Sequence, residues 1–172
     1  MNGKNNKNKI FVIQEHDATH LHWDFRLEDS GVLKSWALPK EPNLNPEDKH
    51  LAIETDDHPL SYKAFEGIIP EGNYGAGSVI VWDTGIFKNL RSETLSESLK
   101  EGKLEIFLEG KKLKGAFALI KTNYGKNSWL LIKLKDEYAN KIIKSRNKSV
   151  LSNKTIDSLN KEIERQKLKD GK

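Results

Sequence analysis

From Leu21 to Glu28 the chain alternates without a break. Leu21, Trp23, Phe25 and Leu27 fall on one side, and His22, Asp24, Arg26 and Glu28 on the other. A period of two marks a β-strand, because successive side chains leave a strand on opposite faces. A strand with one wholly apolar face has to bury that face in a sheet-built core. Its other face, carrying an imidazole, a carboxylate and a guanidinium in a row, is left free for chemistry. Asp29-Ser30-Gly31 then reads as a turn, and Val32–Leu38 as the antiparallel partner strand.

The same signals recur along the chain. Short strands are expected at Lys9–Gln14, Leu51–Thr55, Ser78–Trp82 and Trp129–Leu134, with a hairpin from Leu104–Leu108 through Glu109-Gly110-Lys111-Lys112 to Leu113–Lys121. Pro39 to Pro46 is a proline-rich loop. Helix is scarce. Thr94–Glu101 carries a capping box (Thr94, Glu97) and a Gly102 stop. Ile156, Leu159 and Ile163 share one helical face within a helix expected from Thr155 to about Lys167. The fold class is therefore mainly β, an antiparallel barrel or sandwich with few short helices and a helical C-terminal tail.

Charge divides the chain into three parts. The net charge of +4 averages +3 over residues 1–9, −5 over 10–139 and +6 over 140–172. This predicts a disordered basic N-terminus (1–9), one β domain (10–139) and a basic, partly helical tail (140–172) of the kind that tracks phosphate backbones. There is no cysteine, which excludes disulfides, thiol catalysis and sulfur-ligated metals. Residues 1–9 lack the apolar stretch of a secretory signal, and no run of about 18 apolar residues occurs to span a membrane. A cytoplasmic, monomeric protein is expected.

All five histidines (His16, His20, His22, His50 and His58) lie between positions 16 and 58. His22 and Asp24, two apart on one strand face, can converge on one ion, with His16 folding back as a third ligand. Two imidazoles and a carboxylate suit a first-row divalent ion such as Mn²⁺, Fe²⁺ or Zn²⁺. Arg26, one step further along, cannot ligate a cation but can clamp an anionic oxygen bound to it. His58 sits just before Pro59, with Tyr62 four residues on. His20 and His50 read as surface or supporting residues. The glycine-rich stretch Phe65–Gly77 is neither a P-loop nor a dinucleotide fingerprint, and is expected to buttress the site.

Phe11–His16, Leu21–Glu28, Gly31–Ala37 and Pro39-Lys40 closely resemble the 3′-phosphoesterase module of bacterial DNA ligase D, which serves non-homologous end joining. The resemblance continues through Asp57–Leu60, Pro70–Gly72, Tyr74–Gly77, Trp82–Gly85 and Trp129–Lys133, covering about residues 10–139. It implies a compact β-barrel with a Mn²⁺-dependent site, Co²⁺ or Zn²⁺ being alternatives, that removes a 3′-phosphate from DNA or RNA ends and in some members a terminal ribonucleoside. Carried over by position, His16, His22 and Asp24 would be the metal ligands. Arg26 and His58 would hold the scissile phosphate beside Tyr62, with Gln14, Lys40 and Asp56 at further positions important in the family. The implied partners are primer–template ends and separate ligase, polymerase and Ku proteins, since the family's fused domains are absent. Residues 1–9 do not match the family's upstream arm, so 3′-phosphate removal is expected ahead of ribonucleoside removal. Two rival readings are a 2-oxoglutarate-type non-haem iron oxygenase using His22, Asp24 and His58, and a non-catalytic DNA-end-binding module.

Overall fold

The computed structural model describes residues 8–171. Among these residues, nine strands and two α-helices run in the order β1 (Lys9–Asp17), β2 (Leu21–Asp29), β3 (Val32–Leu38), β4 (Lys49–Pro59), β5 (Gly67–Ile69), β6 (Gly77–Asn89), α1 (Leu95–Glu101), β7 (Lys103–Gly110), β8 (Lys114–Lys121), β9 (Ser128–Lys133) and α2 (Ile156–Asp170), with a 3₁₀ helix at Leu60–Ala64. Eight strands close an antiparallel barrel in the order β1-β2-β3-β4-β9-β8-β7-β6, with β6 returning to β1. The short β5 pairs with the first residues of β6. The expected mainly β barrel with few helices and a C-terminal helix is what the chain forms.

The period-two pattern sorts side chains between two apolar layers. Phe11, Ile13, Trp23, Phe25, Leu27, Trp36 and Trp129 point inward and fill the barrel. Val12, Leu33 and Val81 face the other way, into a smaller cluster covered by Leu60, Tyr62 and Val150. The barrel's outer face at β1–β3 is therefore itself half-covered, and polar residues there stand in a sheltered recess rather than in open solvent.

Three strands run longer than their composition suggests. β1 continues to Asp17 because it pairs with β2 without interruption, from Phe11 opposite Leu27 to Asp17 opposite Leu21. β4 continues to Pro59, and a bulge between Leu33 and Ser35 sets His58 opposite Leu33. β6 continues through Asp83-Thr84-Gly85, well beyond the expected Ser78–Trp82. The fully buried Asp83 carboxylate accepts hydrogen bonds from the backbone N–H groups of Thr84, Lys111, Lys112 and Leu113 at 2.8–3.1 Å. It thereby ties the β7–β8 turn to β6. Helix α1 follows its capping box: Thr94 Oγ1 accepts from the Glu97 N–H (3.1 Å), the Glu97 carboxylate accepts from the Thr94 N–H (3.3 Å), and Gly102 closes the helix at φ 81°.

The expected basic N-terminus lies outside the described residues over 1–7, and Lys9 already belongs to β1. Residues 140–171 pack against the barrel. Helix α2 starts at its Thr155 cap and runs to Asp170. Leu159 is buried, and Asn160 donates to Asp17 Oδ2 (2.9 Å) while accepting from Ser78 Oγ (2.7 Å). Among the described residues no helix is long and apolar enough to cross a membrane.

Burial alone raises the Asp83 pKa, and the four N–H groups hold the carboxylate in place against that penalty. Asp83→Ala would leave several buried N–H groups without an acceptor, at about 1–3 kcal/mol each. A loss of at least about 3 kcal/mol in denaturant unfolding is expected. A change below about 0.5 kcal/mol would contradict this role.

Candidate metal centre

The β1–β2 register sets His16 opposite His22 and Gln14 opposite Asp24. Directly opposed residues have Cβ atoms about 5 Å apart, so three side chains meet at one point. His22 Nε2 lies 3.1 Å, and His16 Nδ1 3.6 Å, from the same oxygen, Asp24 Oδ2. Ligand atoms of His16, His22 and Asp24 all lie within 4.8 Å of one another. Each imidazole also has its remote nitrogen fixed by a backbone carbonyl: His16 Nε2 by Gly75 O (2.6 Å) and His22 Nδ1 by His20 O (2.9 Å). A remote N–H donating to a carbonyl holds a histidine in the tautomer that turns its other nitrogen's lone pair toward a cation, and fixes the ring's orientation. Two nitrogens and one carboxylate oxygen, oriented in this way and open to a cleft, fit a first-row divalent ion.

Electrostatics favour the charged carboxylate. Burial pushes the Asp24 pKa up, but contacts with His16 and His22 and the Arg26 charge outweigh it and hold the group well below the usual carboxylate range. The bond to Asp24 raises the His22 pKa, against the effect of burial. Arg26 is 3% exposed. Its Nε donates to Gln14 Oε1 (2.7 Å), and its Nη1 donates to Ser35 Oγ (2.8 Å) and to His58 Nδ1 (3.1 Å). Nη2 lies 3.5 Å from Asp24 Oδ2, an ion pair longer than a good hydrogen bond. The guanidinium also lies 5.3 Å from the centre of the Tyr62 ring.

Burial first, and then the Arg26 charge, lower the His58 pKa. A neutral ring accepting from Arg26 at Nδ1 carries its proton on Nε2. Nδ1 also lies 3.1 Å from Asp56 O, a partner that only a protonated Nδ1 could use. Protonation of His58 would therefore trade Arg26 for Asp56.

These groups line a cleft of about 400 Å³ together with His20, Ala37, Thr55, Ile69, Tyr74 and Gly75. The structure brings together His16, His22, Asp24, Arg26, His58 and Tyr62. Gln14 lies behind them, its Nε2 donating to Tyr62 O and Phe65 O (3.1 and 3.2 Å), so that it joins Arg26 to the segment carrying Tyr62. Lys40 and Asp56 are exposed and outside the cleft lining; Asp56 reaches the group only through its carbonyl. The histidine grouped with His22 and Asp24 is His16, whereas His58 pairs with Arg26, which removes the geometric basis for an oxygenase triad using His58. His50 does not line the cleft. The glycine-rich stretch buttresses the site as expected: Gly75, at φ 76°, turns its carbonyl onto His16. Ser35 and the carbonyls of His20 and Gly75 escape sequence reasoning. Only Ser35 leaves a trace, as a polar residue on the strand face opposite Arg26.

The DNA Ligase D 3′-phosphoesterase domain family matches residues 14–121. The chain is 50% identical over 153 residues to the multifunctional non-homologous end joining protein LigD of Pseudomonas aeruginosa, covering 85% of this chain and 18% of that protein. It is 47% identical over 132 residues to the LigD DNA repair protein of Mycobacterium tuberculosis (77% and 17%), and 43% identical over 138 residues to LigD of Mycolicibacterium smegmatis (78% and 18%). The chain thus spans less than a fifth of the length of these relatives.

Because Asp24 raises the His22 pKa, a proton competes with the cation for this nitrogen below and around neutrality. Deprotonation as pH rises frees the ligand. Calorimetric Mn²⁺ titrations between about pH 6 and 8 should show affinity rising by up to about tenfold per pH unit and a proton released on binding, both fading above the His22 pKa. Affinity independent of pH with no proton release would contradict the assignment.

Proposed function

The chain belongs to the DNA ligase D 3′-phosphoesterase domain family, and from that premise we propose that it is a metal-dependent hydrolase that removes 3′-phosphates from nucleic-acid ends to leave a 3′-OH. The observation that carries this reading is the convergence of His16, His22 and Asp24 beside a buried arginine that lines the same cleft. A divalent ion held by His16, His22 and Asp24 would supply Lewis-acid polarisation of a phosphate oxygen.

The chain's own residues account for the rest. Arg26, which lines the cleft, neutralises charge on the bound phosphate as it grows in the transition state. Gln14, Ser35 and His58 occupy the other guanidinium nitrogens, so Arg26 is set in position before substrate arrives. His58, neutral and protonated on Nε2, donates to the phosphate or to the leaving ribose oxygen. Its Nδ1 bond to Arg26 keeps that proton on the cleft side. Tyr62 stacks on Phe65 at 4.9 Å and walls the cleft beside His58. Manganese is the ion we propose, with DNA or RNA 3′ ends at primer–template junctions as substrate. Separate ligase, polymerase and Ku proteins would then complete end joining. Ribonucleoside removal at the same centre is a secondary activity in this reading.

A labelled 3′-phosphate primer–template assayed with Mn²⁺, Zn²⁺, Mg²⁺ or EDTA tests the proposal. Phosphate release should require a divalent ion. It should fall by at least about 100-fold in His22→Ala and by about 100- to 1,000-fold in Arg26→Ala. Activity that persists in EDTA, or in His22→Ala, would overturn the reading. An inert wild type with every ion would favour a module that only binds ends.

A further inference from the structure

We propose that residues 140–154 form a rigid basic strip that binds the phosphate backbone of the strand whose 3′ end enters the cleft, an inference that rests on the function proposed above. The +6 of the C-terminal region is not spread through it. Residues 140–154 carry Lys141, Lys144, Arg146, Lys148 and Lys154 and no acid, whereas the α2 residues 156–170 carry four bases and four acids and are neutral. The helix is therefore not the electropositive element; the segment before it is.

That segment is anchored by its backbone and by side chains other than its lysines. The Asn140 N–H donates to Leu44 O (2.7 Å) and the Val150 N–H to Val81 O (3.0 Å). The buried ammonium of Lys112 donates to Arg146 O (3.0 Å) and Lys148 O (2.7 Å). Ser149 Oγ bonds the Glu66 carboxylate and accepts from the N–H groups of Leu151 and Ser152. Lys141, Lys144, Lys148 and Lys154 line the segment, and among the described residues none of them has a carboxylate within 4.0 Å. Arg146 is paired, with Glu41 at 2.8 Å.

Holding like charges in fixed places without counter-charges costs electrostatic energy, and a polyanion is the partner that relieves it. The anchors point to which polyanion. Leu44 and Glu41 lie on the loop that leaves β3, whose Ala37 lines the cleft. Val81 lies opposite Gln14, and Glu66 precedes the cleft-lining loop of Ile69, Tyr74 and Gly75. The strip is thus fastened to the same elements that carry the cleft, while residues 10–139 are net negative and offer little general attraction of their own.

The test compares two full-length variants. One is Lys141→Gln/Lys144→Gln/Lys148→Gln/Lys154→Gln, which leaves every anchor in place. The other is Lys161→Gln/Arg165→Gln/Lys169→Gln in α2. Binding to a labelled 3′-phosphate primer–template is measured against salt without added metal, and phosphate release from a 3′-phosphorylated mononucleoside is measured with Mn²⁺. The strip variant should bind at least about tenfold more weakly near 0.1 M salt. Its dependence of log K on log salt should be shallower by about 0.9 for each phosphate it no longer neutralises, and its mononucleoside activity should match wild type. The α2 variant should bind close to wild type. If the quadruple variant does not fold, the pairs Lys141→Gln/Lys144→Gln and Lys148→Gln/Lys154→Gln are read in the same way. Wild-type binding by the strip variants, or an equal loss in the α2 variant, overturns the inference even where phosphate release persists. Binding that depends on the strip in a protein that releases no phosphate upholds the strip and overturns the function.

Discussion

The site depends on one oxygen. Asp24 Oδ2 lies 3.1 Å from His22, 3.6 Å from His16 and 3.5 Å from Arg26. A carboxylate that is 7% exposed carries a large desolvation penalty unless cations or donors surround it. Here they do, and the same neighbours are the groups proposed to hold the cation and the phosphate. The carboxylate needs the two imidazoles and the guanidinium in order to stay charged. They in turn are brought together because it is there. A divalent ion would take over part of the charge balance that the histidines and Arg26 now provide.

The barrel core holds this arrangement in register. Inward residues of β1, β2 and β3 fill a core containing Trp23, Phe25, Trp36 and Trp129, so the strands cannot slip. A slip of one residue would turn the histidines into that core. Outward residues then have fixed partners across the ladder. The second apolar layer, with Leu60, Tyr62 and Val150 over Val12, Leu33 and Val81, shelters the outer face. Helix α2 closes the arrangement, through Asn160 on Asp17, the residue after His16, and through Lys167 on Glu71 in the glycine-rich loop (2.7 Å).

What could be read from the chain follows from which signals are local. The alternation from Leu21 to Glu28 places His22, Asp24 and Arg26 on one face, and the Thr94–Gly102 caps fix α1, because both depend only on near neighbours. The pairing of His16 with His22 depends on strand register, which single-strand patterning suggests but does not specify. β6 passes through Asp83-Thr84-Gly85 because a turn some 30 residues away donates its N–H groups to Asp83, a tertiary effect with no local trace. The carbonyls of Gly75 and His20 that orient the imidazoles belong to the backbone and have no letter in the sequence. Lys40 and Asp56 come from the family resemblance alone; both are exposed and neither lines the cleft.

If the proposed function is right, one outer face of the barrel holds a cation and a phosphate side by side. The most direct measurement is a crystal structure with Mn²⁺ and a 3′-phosphorylated oligonucleotide, with the ion located by its anomalous scattering. A single strong peak bonded to His16, His22 and Asp24 is expected, with the terminal phosphate on Arg26 and His58. An ion bound elsewhere, or a phosphate seated away from Arg26, would contradict it.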